Sequence, residues 1–336
     1  MRLLLPLLQP VARNMMIRTA EANDVPWCDA LAWIQASGPW PEIPDAEYPA
    51  YYRSPFHAYP LGNLCWEAAW EQEIASAAVG ARNYPAFGRR GEDAFRGSFD
   101  AALDALGARV DDDENGIVLD LGCGTGSSTR RLAARYPGPS KIVGVDLSPY
   151  MIHVARRLVD IDSSEFWVCE ARSDPRLEFM QADIQNLPFS DDSVSICSLN
   201  LVVHEIPPDV TRDVLVECAR VLKPGGALWL TEMDFDTPGF RRLRGNPLLF
   251  SIIRATEPYL DDYANYNAEG IASDLLTLGA FDAVHLRAAT GRHFALIATK
   301  KESSDDDAKP TLLVDDRAAT ALPDTHLATW QTSSRR

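Results

Sequence analysis

The chain has 336 residues, of which 46% are hydrophobic and 24% charged, and its formal net charge is −16. This composition is typical of one large folded domain, or of one domain with an added cap and tails. So acidic a chain repels nucleic acid, and the short basic run at Arg241, Arg242 and Arg244 predicts an exposed helix entry instead of a nucleic-acid site. The acidity favours a small or cationic partner.

Six cysteines are scattered along the chain without metal-site spacing, which predicts free thiols, no metal and a cytoplasmic location. No apolar run approaches the roughly 18 residues of a membrane span, so we expect no transmembrane segment. Residues 1–20 are basic and contain no acid, which predicts either a flexible N-terminus or an organelle-targeting segment. Nothing in the sequence selects an oligomeric state.

Three regions follow residue 20. Residues 21–115 are rich in Trp, Tyr and Pro and predict a mostly helical, aromatic-rich cap. Residues 116–300 alternate strand-like and helix-like runs, which predicts a Rossmann-like, doubly wound α/β sheet. Residues 301–336 are polar and predict a disordered tail.

The predicted elements of the middle region follow one another in the βα order of a parallel sheet. The predicted strands cover 117–121, 141–146, 177–182, 193–199 and 227–231, and a terminal hairpin covers 282–288 and 293–300. The predicted helices cover 127–136, 150–159, 209–221, 250–260 and 268–278.

A glycine-rich loop joins the first strand to the first helix, in the sequence Asp120-Leu121-Gly122-Cys123-Gly124-Thr125-Gly126. Glycines permit a sharp turn and a close approach of the backbone to a ligand, and the helix N-terminus offers unpaired N–H groups. The dinucleotide fingerprint G-x-G-x-x-G requires a glycine where this chain has Ser127. The carboxylate of Asp120 disfavours a pyrophosphate there and suits a ligand with an ammonium group.

Two further acidic residues follow the next two strands at the same sheet edge. Asp146 can accept both hydroxyls of a ribose, or it can be a helix N-terminal acid favoured by the helix dipole. Leu147 and Met151 can flank an adenine. Asp183 can accept a hydrogen bond from an adenine amino group while the backbone of Ile184 approaches a ring nitrogen, although taken alone Asp183 is equally typical of a turn.

Together with Arg220-Val221-Leu222-Lys223-Pro224-Gly225-Gly226, these three motifs resemble the class I S-adenosylmethionine-dependent methyltransferases, especially the branch that includes quinone and sterol C-methyltransferases. The resemblance covers residues 116–235 well. It implies a seven-stranded sheet with an antiparallel last strand, S-adenosylmethionine as the cofactor, and methyl transfer to a small-molecule acceptor. A NAD(P)-dependent oxidoreductase and a catalytically silent S-adenosylmethionine-binding protein are the alternatives.

The resemblance also implies roles for individual residues. The methionine part of the cofactor would lie at Asp120 and the loop from Gly122 to Gly126, the ribose at Asp146, and the adenine at Asp183 and Ile184. Asn200, just past the fourth strand, matches a position near the methionine end of the cofactor.

Two residues after the fourth strand are the candidates for a catalytic base. His204 and Glu205 lie at the carboxyl edge of the sheet, where ligands bind in open α/β folds. The alternative is that His204 packs the loop and bonds a neighbouring carbonyl.

Aromatic residues from two distant segments could border an acceptor pocket. Tyr259 and Tyr263 follow a predicted helix, and an exposed helix end is the alternative interpretation. Tyr59, Trp66 and Trp70 lie in the aromatic N-terminal region and could form a roof over the site. Since Trp66 and Trp70 are four residues apart, they share one helix face, and packing onto the sheet is equally plausible.

Overall fold

The computed structural model of the protein describes residues 5–110, 115–160, 174–302 and 310–322. In this part of the chain the strands form one eight-stranded sheet. The strands are β1 (Ile117–Leu121), β2 (Lys141–Asp146), β3 (Leu177–Gln181), β4 (Val194–Asn200), β5 (Leu222–Met233), β6 (Phe281–Ala288), β7 (His293–Lys300) and β8 (Leu312–Asp315).

The strand order is β3-β2-β1-β4-β5-β7-β6-β8. Strand β7 is antiparallel to both neighbours, β5 and β6, while the other pairings are parallel. The order reverses between β1 and β4, which is the topological switch point at which open α/β sheets bind ligands. The predicted α/β class and the antiparallel late strand are therefore found.

The helices fall into an N-terminal group and a group interleaved with the strands. The N-terminal helices are α1 (Leu5–Glu21), α2 (Trp27–Ala36), α3 (Trp66–Asn83) and α4 (Gly91–Ala105). The later helices are α5 (Ser127–Arg135), α6 (Pro149–Asp160), α7 (Pro208–Val221), α8 (Pro238–Arg244), α9 (Pro247–Arg254) and α10 (Leu260–Leu278).

Helices cover both faces of the sheet, which explains why the strands read as continuous apolar runs. Successive side chains of β1 point to opposite faces. Val118 packs with Phe99 of α4 in one core, and Leu119 belongs to the opposite core with Val214 of α7 and Ile271 of α10. The site edge of β1 is thereby held from both sides.

The sheet has eight strands, so the seven-strand count that the resemblance implies is wrong. The extra strand, β8, lies within the segment predicted to be a disordered tail. It is ordered because its backbone pairs with β6 and because Arg317 bonds to Asp234 and Asp315. The rest of the predicted tail is described at 301–302, 310–311 and 316–322, and 303–309 and 323–336 lie outside the described residues.

The N-terminal region is helical and packs against the sheet domain. The segment predicted to be a flexible N-terminus forms α1, in which Ala20 is fully buried and Arg13 bonds to Glu71 of α3. Residues 5–20 are thus helical, and the sequence pattern alone does not reveal the packing partner of this helix. No helix among the described residues is both long and apolar enough to cross a membrane.

Helices α9 and α10 differ from the predicted boundaries. The first ends at Arg254, and the second begins at Leu260 and is kinked at Asn267, whose φ is +48°. The side-chain amide of Asn267 donates to Asp236 at 2.8 Å. This amide contact accompanies the unusual backbone angle and joins the kink to the loop after β5.

Candidate active site

The glycine loop between β1 and α5 has the left-handed backbone that its glycines permit. The φ angles of Gly122, Gly124 and Gly126 are +69°, +54° and +84°. The loop is anchored because the amides of Gly122 and Cys123 both donate to the carbonyl of Val145, at 2.8 and 3.0 Å. Residues with a Cβ would be strained at these three angles.

Protein side chains fill the space beside each glycine. A Cβ on Gly122 would lie 2.8 Å from Val202, and one on Gly124 would lie 2.1 Å from the amide nitrogen of Gln72. A Cβ on Gly126 would lie 2.5 Å from Phe179. The glycines thus allow close packing of the protein onto the loop, in addition to any approach of a ligand.

Helix α3 supplies two polar side chains to this loop. The side-chain oxygen of Gln72 accepts from the amide of Thr125 at 2.7 Å and also from its hydroxyl. Glu73 accepts from the same hydroxyl at 2.9 Å and forms a buried ion pair with Arg130 of α5 at 2.6 Å. The N-terminal region therefore forms part of the loop's surroundings.

Asp120 is buried beneath the first turn of α5. One carboxylate oxygen accepts from the hydroxyls of Ser128 and Thr129, each at 2.6 Å, while the other oxygen is buried with no hydrogen-bond partner among the described residues. Burial raises the pKa of Asp120 above its usual value, against the effect of the two hydroxyls. One acceptor position thus remains for a further donor.

Asp146 ends β2 and is nearly fully buried. It accepts from the amides of Ser148 at 2.8 Å and Gly124 at 2.9 Å, and from the hydroxyl of Tyr52 at 3.2 Å. Burial raises its pKa, which these hydrogen bonds counteract. The carboxylate therefore joins the glycine loop, the start of α6 and the N-terminal region.

Asp183 follows β3 and is linked through Gln185 to a second tyrosine from the same N-terminal turn. It accepts from the amide of Gln185 at 2.9 Å and from its side-chain nitrogen at 3.2 Å. The same nitrogen donates to the hydroxyl of Tyr51 at 3.2 Å. The adjacent tyrosines Tyr51 and Tyr52 thus reach the surroundings of both carboxylates predicted to bind the adenosine.

A small cleft, open to solvent, lies at this sheet edge. Five residues predicted to contact the cofactor line it, together with Glu205 and Tyr259. The five are Gly122, Asp146, Leu147, Asp183 and Ile184.

The other residues predicted to bind the cofactor do not line this cleft. Cys123 and Thr125 are buried within the loop, and Met151 packs in an apolar cluster with Cys65 and Leu158. Asn200 accepts from the guanidinium of Arg96 at 3.2 Å, in a smaller pocket between α4 and α5. Their contact with the cofactor stays a prediction.

His204 is held by a buried carboxylate of β5. Its Nδ1 lies 2.9 and 3.0 Å from the two carboxylate oxygens of Glu232, and its amide donates to Glu232 at 3.2 Å. Burial by itself would lower the pKa of His204, but the charge and hydrogen bond of Glu232 outweigh it and raise the pKa to about 10. His204 is therefore an imidazolium at neutral pH and is unsuited to accept a proton.

Glu205 faces the cleft and lies 3.9 Å from the Nε2 atoms of both His57 and His204. Burial raises its pKa to about 7, aided by Glu257 and Glu232 and opposed by the two histidines. His57 makes its close contact, at 2.8 Å, with Glu257 instead. Glu205 is thus a carboxylate poised to exchange a proton near neutral pH.

The predicted acceptor-pocket aromatics separate in the structure. Tyr259 lines the cleft, whereas Tyr263 is buried and donates to the carbonyl of Met233 at 2.5 Å. Trp66 and Trp70 stack on each other with ring centroids 5.7 Å apart. Tyr59 donates a hydrogen bond to Glu71, and none of these three residues lines the cleft, so their role toward a substrate stays a prediction.

Sequence reasoning missed several residues at the site. Gln72, Glu73 and Arg96 lie in helices without a motif, and Glu257 lies in a loop. Tyr52 lies in the aromatic stretch before Tyr59, where the abundance of tyrosine was the available signal. Among the described residues there is no group of three or more side chains that could hold a metal ion.

Comparison with known proteins identifies a family for the central part of the chain. Residues 118–226 match the family described as "Methyltransferase domain". Trans-aconitate 2-methyltransferase of Azoarcus sp. strain BH72 is 35% identical over 148 residues, which is 44% of this chain and 51% of that protein. Demethylmenaquinone methyltransferase of Clavibacter sepedonicus is 33% identical over 151 residues, covering 45% and 53%.

The chain spans about half the length of these curated relatives. A solved structure of phosphoethanolamine N-methyltransferase 2 from Haemonchus contortus, in complex with S-adenosyl-L-methionine, matches 73% of this chain and 62% of that chain. Its TM-score is 0.47 and its sequence identity is 17%.

The predicted resemblance is confirmed: residues 118–226 form a methyltransferase domain of the S-adenosylmethionine-dependent class. The residues present fit that cofactor. The cleft has two carboxylates at the ends of β2 and β3. In addition, one buried carboxylate oxygen of Asp120 has no hydrogen-bond partner among the described residues. These features suit a ligand with hydroxyl, amino and ammonium groups.

Proposed function

We propose that this protein transfers a methyl group from S-adenosylmethionine to a small-molecule acceptor. The proposal depends on the cleft at the carboxyl edge, where Gly122, Asp146 and Asp183 meet within a methyltransferase domain. S-adenosylmethionine supplies a methyl group on a positively charged sulfur, which is already activated for transfer. Positioning and exclusion of water are then the main tasks of the protein.

The cofactor-binding roles follow from the edge of the sheet. Asp146 would accept the ribose hydroxyls, and Asp183 with the backbone of Ile184 would bind the adenine. Asp120, with its remaining oxygen, and the loop from Gly122 to Gly126 would surround the methionine part. Asn200, held by Arg96, would lie near the same end.

Glu205 is the proposed general base. It faces the cleft, and its pKa of about 7 lets it be partly ionised at neutral pH and accept a proton from an acceptor N–H or O–H. His204 is a positioning residue in this scheme, because its imidazolium is fixed by Glu232. Together the two histidines 3.9 Å from Glu205 limit the rise of its pKa.

The acceptor is proposed to be uncharged or cationic. The charged side chains that line the cleft in the described part of the chain are all acidic. Asp146 and Asp183 are assigned to the cofactor, so Glu205 is the charge that an acceptor would meet. The hydroxyls of Tyr51, Tyr52 and Tyr259 supply neutral polar contacts. The Azoarcus relative is named for trans-aconitate, a tricarboxylate, and this cleft would repel such a molecule.

The remaining parts of the proposal concern location and partners. The described cysteines are free thiols, which supports a reducing, cytoplasmic compartment. The net charge of −16 supports the absence of a nucleic-acid partner.

The decisive experiment has two stages. The first measures S-adenosylmethionine binding by calorimetry for the wild type and for Asp146→Ala, with Asp213→Ala, an exposed position on α7, as the control. Loss of two hydrogen bonds to a charged group should weaken binding of Asp146→Ala by about 100-fold or more. Unchanged affinity would refute the ribose assignment.

The second stage incubates the protein with methyl-labelled cofactor and a metabolite extract and identifies the labelled product. Transfer to a neutral or basic compound is the expected result. Tight binding without any labelled product would favour the silent binding protein, and binding of a nicotinamide dinucleotide in place of S-adenosylmethionine would favour the oxidoreductase.

A further inference from the structure

We propose that Tyr52 competes with the cofactor ribose for Asp146, so that the tyrosine hydroxyl and the ribose occupy this carboxylate in turn. The inference rests on the proposed function, since it takes Asp146 as the ribose-binding residue. It adds that the affinity for the cofactor is set partly by a side chain of the N-terminal region.

The hydrogen bonds that Asp146 already accepts leave too few positions for both ribose hydroxyls. An ionised carboxylate offers about four acceptor positions. Asp146 already accepts from Ser148 and Tyr52 on one oxygen and from Gly124 on the other. About one position is left, whereas the two ribose hydroxyls need two. One of the three present donors must therefore leave when the ribose binds.

The two backbone amides that donate to Asp146 are held in place by the structure around them. Gly124 and Ser148 donate through backbone amides of the site itself. The neighbouring loop amides of Gly122 and Cys123 are bonded to Val145, and the hydroxyl of Ser148 donates to the carbonyl of Asn63 at 2.6 Å. Displacing either amide would distort the loop or the start of α6, so neither can be exchanged cheaply.

Tyr52 can be exchanged at lower cost. Its contact, at 3.2 Å, is the longest of the three, and its donor is a side-chain hydroxyl and not a backbone amide of the site. The turn that bears it, Ala50–Arg53, is itself attached, because Tyr259 donates to the carbonyl of Tyr51 at 3.0 Å. Rotation of the Tyr52 side chain, with the turn in place, would clear the carboxylate.

The contact between Tyr52 and Asp146 stabilises the cofactor-free protein. Asp146 is only 8% exposed, and a buried charge that lacks partners is costly. The Tyr52 hydroxyl supplies a partner whenever the ribose is away. It therefore stabilises the cofactor-free state and, by the same amount, opposes cofactor binding.

The test is calorimetry on the full chain with Tyr52→Phe, using S-adenosylmethionine and S-adenosylhomocysteine as the titrants. Removal of the competing hydroxyl should lower both dissociation constants by about ten- to a hundredfold, the effect of one hydrogen bond to a charged group, because both ligands carry the same ribose. The thermal midpoint of the cofactor-free variant should fall, and the cofactor-induced rise in that midpoint should exceed that of the wild type.

Tyr51→Phe is the matched control. Its hydroxyl lines the same cleft but is bonded to Gln185 and not to Asp146, so its removal should not tighten binding. If Asp146→Ala loses affinity as expected but Tyr52→Phe binds the cofactor no more tightly than the wild type, the inference about Tyr52 is overturned and the proposed function stands. A wild type that fails to bind S-adenosylmethionine, or an Asp146→Ala variant that binds it normally, would overturn the proposed function and this inference together.

Discussion

The sheet edge and the N-terminal helices contribute to the site in different ways. The edge supplies the glycine backbone and the carboxylates Asp120, Asp146 and Asp183, all within a few residues of a strand end. The N-terminal region supplies Gln72 and Tyr52, whose side chains bond to that edge. The two regions come together although their contacting residues lie far apart in the chain.

The methyltransferase domain alone therefore does not complete the cleft. The edge provides groups that a cofactor of this class requires, and the N-terminal region determines how accessible they are. If the N-terminal region is an integral part of the site, changing its contacts should alter stability and binding. If it merely covers the site, the same changes should have little effect.

The largest effect is expected from breaking the buried ion pair between the regions. Glu73 and Arg130 are both buried and lie 2.6 Å apart. Removal of one partner of a buried pair commonly costs about 3–5 kcal/mol, because the other charge loses its compensation. Glu73→Ala should therefore lower the free energy of unfolding by about that amount in urea titrations.

Glu67→Ala is the control, since Glu67 lies on the same helix but is exposed. Its change should stay below about 1 kcal/mol. If Glu73→Ala matched the control, the N-terminal helices would be only loosely attached to the sheet, and the contrast between the regions would lose its structural basis.

At the sheet edge, the next largest effect is expected from removing the proposed base, Glu205. Glu205→Gln should reduce the turnover number about 100-fold with the acceptor that gains the labelled methyl. In the wild type the rate should rise with pH through about 7, because Glu205 must be ionised to take a proton. Equal turnover of the variant and the wild type would exclude this role.

Stability should respond to pH in the opposite direction. The pKa of Glu205 is raised from 4.5 to about 7 in the folded protein, so ionisation of this group opposes folding. Its contribution to stability is present below about pH 4.5 and is lost as the pH rises through about 7. Unfolding curves of Glu205→Gln should lack this loss, of about 3 kcal/mol, and cofactor affinity should remain close to that of the wild type.

The smallest effect is expected from the contact of Gln72 with the glycine loop. Gly124→Ala combines a φ of +54° with a Cβ that would meet Gln72 at 2.1 Å, and we expect a loss of about 1–3 kcal/mol. Adding Gln72→Ala should recover the steric part, so that the double variant is more stable than the sum of the two single changes predicts.

Gly107→Ala separates the two causes. Gly107 has a φ of +89°, and a Cβ there would have no atom within 4 Å, so only the backbone cost of about 1 kcal/mol applies. If Gly124→Ala cost no more than Gly107→Ala in thermal unfolding, the contact with Gln72 would be unimportant for the loop.

Much of the sheet region could be predicted because its signals are local. Strands β1 and β2 have the boundaries that their apolar runs predict, and the loop glycines have the positive φ angles that their positions require. Strand β8 was missed because its leucines are exposed and its order depends on pairing with β6. Trp66 and Trp70 share a helix face as predicted, but that face packs against other aromatic residues.

The class of domain and the placing of its carboxylates at strand ends could be predicted from the sequence, since strand periodicity and strand ends are read from neighbouring residues. The fold was needed to show that Glu232 holds His204, that Glu205 lies between two histidines, and that Tyr52 reaches Asp146 across 94 residues. Such contacts join side chains from remote segments. Their formation depends on packing and burial, which leave no periodic pattern along the chain.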